Sequence, residues 1–360
     1  MNTPHAIGVK VIAAVWMLLA ALSLGARAAT DFDPAAAPAQ LATSFVKADR
    51  LQALAKVKRA AIAQFRVEFA VENEAKAQSS GTTGATSSRA DVKLVGVTDE
   101  ARQATADRLY DQFVQDLAEA GLEVVPLATL RANADYQSLG PVLRGGREPV
   151  GTRAGKSIFV GARGMPYYMT NDDRHLGLGT LLGGISTTQP QNIEPQIAKT
   201  LDAAVFRVTL AVAFADQTTR GGLFNTGSSV KTDARLVLVP NQCQWLIITP
   251  EGRAQVYLNE TVFMGSDALQ LVETTADSDK AVQAAANVIT GLFAKTTRSA
   301  ASYEARTTPA AYEAVVTRHG LALQAAMLSA LRPGLTVTPM PAVAAPQAAV
   351  QPAAASAPAQ

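Results

Sequence analysis

The stretch "DVKLVGVTDEARQATADRLYDQFVQDLAEAGLEVVP", residues 91–126, changes its hydrophobic period twice. Residues 91–97 read as a strand. Thr98 then stands where a helix N-cap belongs. Asp99 and Glu100 follow in the first turn, where the positive end of the helix dipole favours acids. Leu109, Phe113 and Leu117 recur every four residues, with Ala106 and Val114 beside them, and make one apolar helical face. Gly121 is a natural C′ residue, and residues 122–126 return as a short buried strand. Such a strand–helix–strand unit needs a sheet on which to bury its apolar stripe. The fold class read from it is α/β, a mixed β-sheet with flanking helices in a single domain over residues 41–332.

Upstream, "AIAQFRVEFAVE" (61–72) alternates with period two. Phe65, Val67, Phe69 and Val71 take one side, and Gln64, Arg66, Glu68 and Ala70 the other, as in a half-buried strand. A helix is expected before it, over 41–57, with Leu41, Phe45, Leu51 and Leu54 on one side. "SSGTTGATSS" (79–88) offers no apolar surface and reads as a flexible loop, so the strands on either side would form a long hairpin with a mobile tip. Downstream come a short helix near 127–135 and a long loop region, 140–190, with one strand candidate at 157–161. A helix over 193–203 and a strand over 205–217 follow, the latter with Phe206, Val208, Leu210, Val212 and Phe214 on one face. A second Gly-rich loop (218–229) precedes strands at 232–239, 243–249 and 254–264, the last two joined by the tight turn "TPEG" (249–252). Two helices close the domain. One spans 278–295, with Val282, Ala285, Ile289, Leu292 and Phe293 as its stripe. The other starts at Thr308–Pro309, with Tyr312, Val316, His319, Leu323 and Met327 inward.

The ends read differently. Lys10, the uncharged run Val11–Leu24 and "ARA" (26–28) have the parts of a secretory signal peptide, residues 1–28, cleaved after Ala28. The run is short for a membrane span, which needs ~20 apolar residues. Residues 29–40 form a flexible leader. Residues 333–360 form a disordered tail rich in Pro and Ala. The expected location is the periplasm or outside the cell, with association to the outer membrane as an open alternative. No transmembrane helix is expected after cleavage.

Lysines and arginines number 32 against 30 acids, a net charge of +2, and no basic block argues for nucleic acid. Cys243 is the only cysteine, which excludes an intrachain disulfide and a Cys-rich zinc site; it reads as a small buried residue. "TNDDRH" (170–175) carries the residue types of a metal or acid–base site in Asp172, Asp173 and His175. Neighbouring loop residues seldom supply three ligands, and Arg174 beside the acids suggests local ion pairing, so ordinary loop chemistry is the preferred reading. His319, on an apolar helix face, reads as a satisfied core histidine. "GLGTLLGG" (177–184) lacks the strand before and helix after that a dinucleotide loop needs. "RGMPYYM" (163–169) and Arg174 supply Arg163, Tyr167, Tyr168 and Arg174 as candidate binding residues, since Tyr and Arg anchor interfaces. Packing of the rings under a loop is the competing reading. No metal and no cofactor are implied.

The segments Ala61–Phe69, Ala106–Leu117 and Gly121–Val125, with the later turn-linked strands around "ITPEGRAQVYLNETVF", resemble the curli-secretion-channel and penicillin-binding-protein-activator group of exported bacterial lipoproteins. The likeness lies in hydrophobic pattern and covers about half of the chain after the signal. It departs from the group in having no cysteine after the cleavage site. The resemblance implies an α/β sandwich serving envelope interactions. The expected function is an exported, non-enzymatic periplasmic protein that binds another cell-envelope component, an envelope protein above all. A homo-oligomer is compatible with this reading. The alternatives are a metal-dependent or hydrolytic enzyme centred on Asp172, Asp173 and His175, and an oligomeric outer-membrane-associated secretion component that inserts its two long hairpins.

Overall fold

The computed structural model describes residues 31–81, 84–170, 173, 189–220, 222–223, 229–265, 268–275 and 296–335. The signal peptide, most of the tail, the helix expected at 278–295 and residues 171–172 and 174–188 lie outside them. The elements below belong to the unit that begins at Pro34.

Helix α1 (Pro38–Phe45) leads into β1 (Val46–Asp49), and β2 (Arg59–Gly81) pairs with β3 (Gly84–Val95) as a hairpin. The helix expected over 41–57 therefore ends at Phe45. The chain turns extended at β-branched Val46 to pair with Leu258, and Arg50 takes a left-handed φ of 57°. Leu41, Phe45 and Leu54 are still buried, so the apolar spacing was real while the helix was not continuous.

The strand–helix–strand unit is present as β3, α2 (Asp99–Glu119) and β4 (Glu123–Val124). Thr98 caps α2 by accepting the Ala101 N–H at 3.3 Å, and Gly121 turns the chain out at φ 85°. Next come α3 (Leu127–Ala132), α4 (Ala134–Gln137), β5 (Val150–Thr152), β6 (Gly155–Gly161) and α5 (Pro190–Leu201). A second hairpin follows in β7 (Ala204–Arg220), β8 (Gly222–Leu223) and β9 (Ser229–Leu238), then β10 (Gln244–Thr249), β11 (Gly252–Leu258) and β12 (Val262–Phe263). The chain closes with β13 (Gln270–Glu273), β14 (Thr296–Arg306) and α6 (Pro309–Leu331), which Thr308 caps as its sequence foretold.

All these strands join one mixed sheet, whose main path is β1-β11-β10-β7-β2-β3-β14-β13. Helices α2 and α6 cover one face. Phe113 of α2 meets Phe65, Phe206 and Trp245 at ring-centroid distances of 5.6, 5.9 and 4.9 Å, and Tyr312 of α6 meets Phe69 at 6.2 Å. The two helices approach closely at Gly320, where a Cβ would lie 2.8 Å from a Leu109 methyl. On the other face, Leu130, Tyr136 and Ile197 from α3, α4 and α5 pack on Ala61, Ala63, Val205 and Ile248. The result is a sheet with helices on both sides, and no described helix is long and apolar enough to cross a membrane.

Two expectations change in the hairpins. Residues 79–81 and 84–88, read as a flexible loop, are strand, because their backbone groups pair: Ser79 opposes Thr86, and Thr86 opposes Thr297 of β14. β14 itself was not expected. It runs parallel to β3 from Thr296↔Ala85 to Arg306↔Val95. The Gly-rich stretch 218–229 likewise begins and ends in strand.

Candidate functional site

The polar side of β2 is not the solvated side of a half-buried strand. Gln64, Arg66 and Glu68 are 0, 1 and 4 % exposed. Strand alternation aims them away from α2 and α6, and β7 adds Arg207 opposite Gln64 and Thr209 opposite Arg66. The segment after β6 and helix α5 cover this layer and supply its partners.

Arg66 is the centre of the layer. Its Nη1 donates to the Tyr168 carbonyl at 2.9 Å, its Nη2 donates to Asp173 Oδ1, and its guanidinium lies 5.3 Å from the centroid of the Phe159 ring. Asp173 uses its second oxygen, Oδ2, to accept the Thr170 N–H at 2.7 Å. Gln64 Oε1 accepts the Tyr168 N–H at 2.8 Å. The Tyr168 hydroxyl donates to Glu194 Oε1 at 2.7 Å, and Glu194 in turn faces Arg207 at 3.4 Å. Burial, with the Glu194 charge adding to it, pushes the Tyr168 phenol well above its ordinary value. Two ion pairs thus sit under cover, linked through one tyrosine. Pairs of this kind recover their desolvation cost only with good geometry and extra hydrogen bonds, which Tyr168 and Thr170 supply.

This placement answers for part of "TNDDRH". Asp173 is the buried counter-ion of Arg66, the ion-pairing role, although with an arginine from a distant strand. Asp172, Arg174 and His175, and the glycine run at 177–184, lie outside the described residues. Among the described residues no group of three or more His, Cys, Asp or Glu is arranged to hold a metal.

The structure puts the aromatic pair under the loop. Tyr167 and Tyr168 are 3 and 0 % exposed. Tyr167 stacks on Phe159 at 5.7 Å, and its backbone bridges Arg144, so both rings pin the covering segment to the sheet. Arg163 is exposed, in a left-handed conformation of φ 52°. Its guanidinium pairs with Asp111 and its N–H donates to Asp107 at 2.6 Å, which holds the loop against α2.

The other singled-out groups are structural. His319 is buried with Nδ1 2.9 Å from the Val315 carbonyl one turn back, and burial lowers its pKa. Cys243 lies just before β10 with Sγ accepting the Ala211 N–H at 3.3 Å, and burial pushes its thiol up to about 12. A thiol so raised is no thiolate nucleophile at neutral pH.

Gln64, Arg66, Glu194 and Arg207 escaped the reading of the sequence as site residues. The available signal was Arg66 between Gln64 and Glu68 in β2, and Arg207 in the mostly apolar first half of β7. Comparison with protein-family models, with curated proteins and with solved structures found no match.

Proposed function

We propose that the protein is an exported, non-enzymatic binding protein of the cell envelope, whose two long hairpins contact another envelope component. One observation carries this reading. β2 runs for 23 residues and β7 for 17, far beyond the ~5–6 residues of an ordinary strand. Past Glu72 the β2–β3 ladder continues to Gly81↔Gly84, a reach of roughly 30 Å at ~3.4 Å per residue. Its flank is a ladder of opposite charges. Lys76 and Arg89 meet Glu74 at 2.5 and 3.2 Å, and Lys156 meets Glu72 at 2.9 Å. Such a surface suits a polar protein partner, and the resemblance to envelope lipoproteins points the same way. The buried roles of Asp173 and Cys243 weigh against an enzyme built on them.

A second reading is an oligomer associated with the outer membrane through the same hairpins. It draws on the neighbouring placement of their outer ends, where Ser79 and Ser80 of β2 pair with Gly222 and Leu223 of β8.

The test is capture from envelope extract with tagged full-length protein and the charge-reversed variant Lys76→Glu/Arg89→Glu. A specific protein partner lost in the variant, with circular dichroism unchanged, supports the binding reading. Detergent-stable, heat-modifiable oligomers favour the second. Stoichiometric metal in the purified protein, lost in Asp173→Ala and His175→Ala, overturns both in favour of an enzyme.

A further inference from the structure

The outer half of β2 is interrupted along one edge. β3 pairs with it from Glu72 to Gly81, so the other partners of that stretch lie on the opposite edge. There β6 pairs as far as Asn73↔Gly155, and the Glu74 N–H donates to the Ala154 carbonyl at 2.7 Å. Pairing resumes at Ser79↔Gly222 with β8. Between the two, no strand among the described residues pairs with Ala75–Gln78 on this edge. Peptide groups in an antiparallel ladder point alternately to one edge and the other. Glu74 donates to Ala154 here, so the N–H and C=O groups of Lys76 and Gln78 face the same opening, and those of Ala75 and Ala77 face β3.

A strand edge left open is a template for one more strand, and an extended peptide that takes it gains main-chain hydrogen bonds. The opening spans roughly 14 Å, four residues at ~3.4 Å each. Its ends decide what fits. The β2 of a second copy would bring its own β6 and β8 along the same edge, and these would collide with the β6 and β8 already in place. A lone extended segment has no such neighbours. Its side chains would alternate between two environments. One is a cleft of about 550 Å³, lined by Ala75 of the opening and by Ala70, Val212, Ala213 and Val237. The other is the charged side, where Lys76 and Arg89 pair with Glu74.

We infer that Ala75–Gln78 of β2 receives a short extended segment of a protein partner, apolar and polar by turns, as an added strand between β6 and β8. The N–H and C=O groups of Lys76 and Gln78 bond its backbone, and its apolar side chains enter the cleft. Such a contact rests on the hairpin reading above and gives it a place and a bonding pattern.

Amide hydrogen exchange of the full-length protein tests it, with acetyl-Thr-Val-Thr-Val-Thr-amide as the probe. Without the probe, the Lys76 and Gln78 amides should exchange faster than those of Ala75 and Ala77. The probe should slow them by roughly fivefold, the scale of one net hydrogen bond, and its alternately N-methylated form should not. Capture from envelope extract supplies the second arm. Gln78→Pro deletes an N–H that faces the opening and spares the β3 ladder, so it should lose the partner, and Gln78→Ala should keep it. Protected Lys76 and Gln78 amides in the free protein, or no slowing by the probe, overturn the added strand. So does a partner that survives Gln78→Pro but not Lys76→Glu/Arg89→Glu, which leaves the hairpin reading in force. Oligomers dispersed by Gln78→Pro would place a second copy in the opening and overturn it as well. Failure of the unmodified chain to capture any partner overturns both readings. The exchange pattern is read on the unmodified chain, so the outcome does not hang on whether a variant folds.

Discussion

Asp173→Ala removes two acceptors at once. Arg66 stays buried and loses its carboxylate, and the Thr170 N–H loses its partner. Deleting one member of a buried ion pair costs ~3–5 kcal/mol, because the other charge is left uncompensated. An orphaned amide adds a further ~1 kcal/mol or more. Two features pull the sum down. Arg66 keeps the Tyr168 carbonyl and the Phe159 ring. The expected loss is therefore about 3 kcal/mol, the lower end of the range for a broken buried pair. Arg66→Met should cost about as much, since it strands Asp173. The double variant Arg66→Met/Asp173→Leu replaces the pair by apolar groups and should be ~2 kcal/mol more stable than either single variant. Urea unfolding followed by circular dichroism and by the buried Trp245 measures all four proteins. Single-variant losses below ~1 kcal/mol, the scale of an exposed pair, would refute the buried-pair account. Simple additivity in the double variant would refute it too. An acid–base role for Asp173 makes the opposite forecast, with activity lost and stability kept.

Alkaline pH should destabilise the fold. The unfolded Cys243 thiol loses its proton from about 9.0 but the folded one only at about 12, so between these values the unfolded state binds fewer protons and stability falls as pH rises. The raised phenols of Tyr168 and Tyr312 act in the same direction, and Cys243→Ala should flatten the thiol's share of the slope in urea titrations across that window. Thr98→Ala and Thr308→Ala should each cost ~1 kcal/mol by removing the side-chain caps of α2 and α6, seen as a lowered melting temperature. Gly320→Val should cost ~1–3 kcal/mol in the same assay, since its Cβ would press on Leu109 where the two helices meet.

What could be read in advance follows from which interactions leave a side-chain signature. The α2 unit was legible from Thr98 to Gly121 because caps, stripe and C′ residue are all set by local chemistry. The inward face of α6 was legible for the same reason, down to buried His319. β14 was not, since "TTRSAASYEAR" has no apolar alternation and its pairing with β3 is backbone to backbone. The same holds for Ser79–Gly81 and Gly84–Ser88, where Ser and Gly hid a ladder that depends on neighbours in space. At the candidate site, Asp173 was visible as a charged loop residue, but its partner is 107 residues away, beyond any local pattern. Tyr167 and Tyr168 were visible as aromatics. Their burial depends on Phe159, Gln64 and Glu194, which periodicity cannot bring together.

β2 itself frames the functional argument. From Ala60 to Ala70 each of its residues is buried, whichever face it points to, and from Val71 to Asn73 burial weakens although the strand continues to Gly81. The first half is fixed by the aromatic core on one side and the Arg66 layer on the other. In the second half the ladder with β3 runs on to Gly81↔Gly84, flanked by the partly exposed ion pairs of Glu72 and Glu74, and exposed pairs contribute little to net stability. A fold under selection for stability alone gains little from that length, because ordering each added residue costs ~1–2 kcal/mol of backbone entropy. That length is the observation on which the proposed binding role rests.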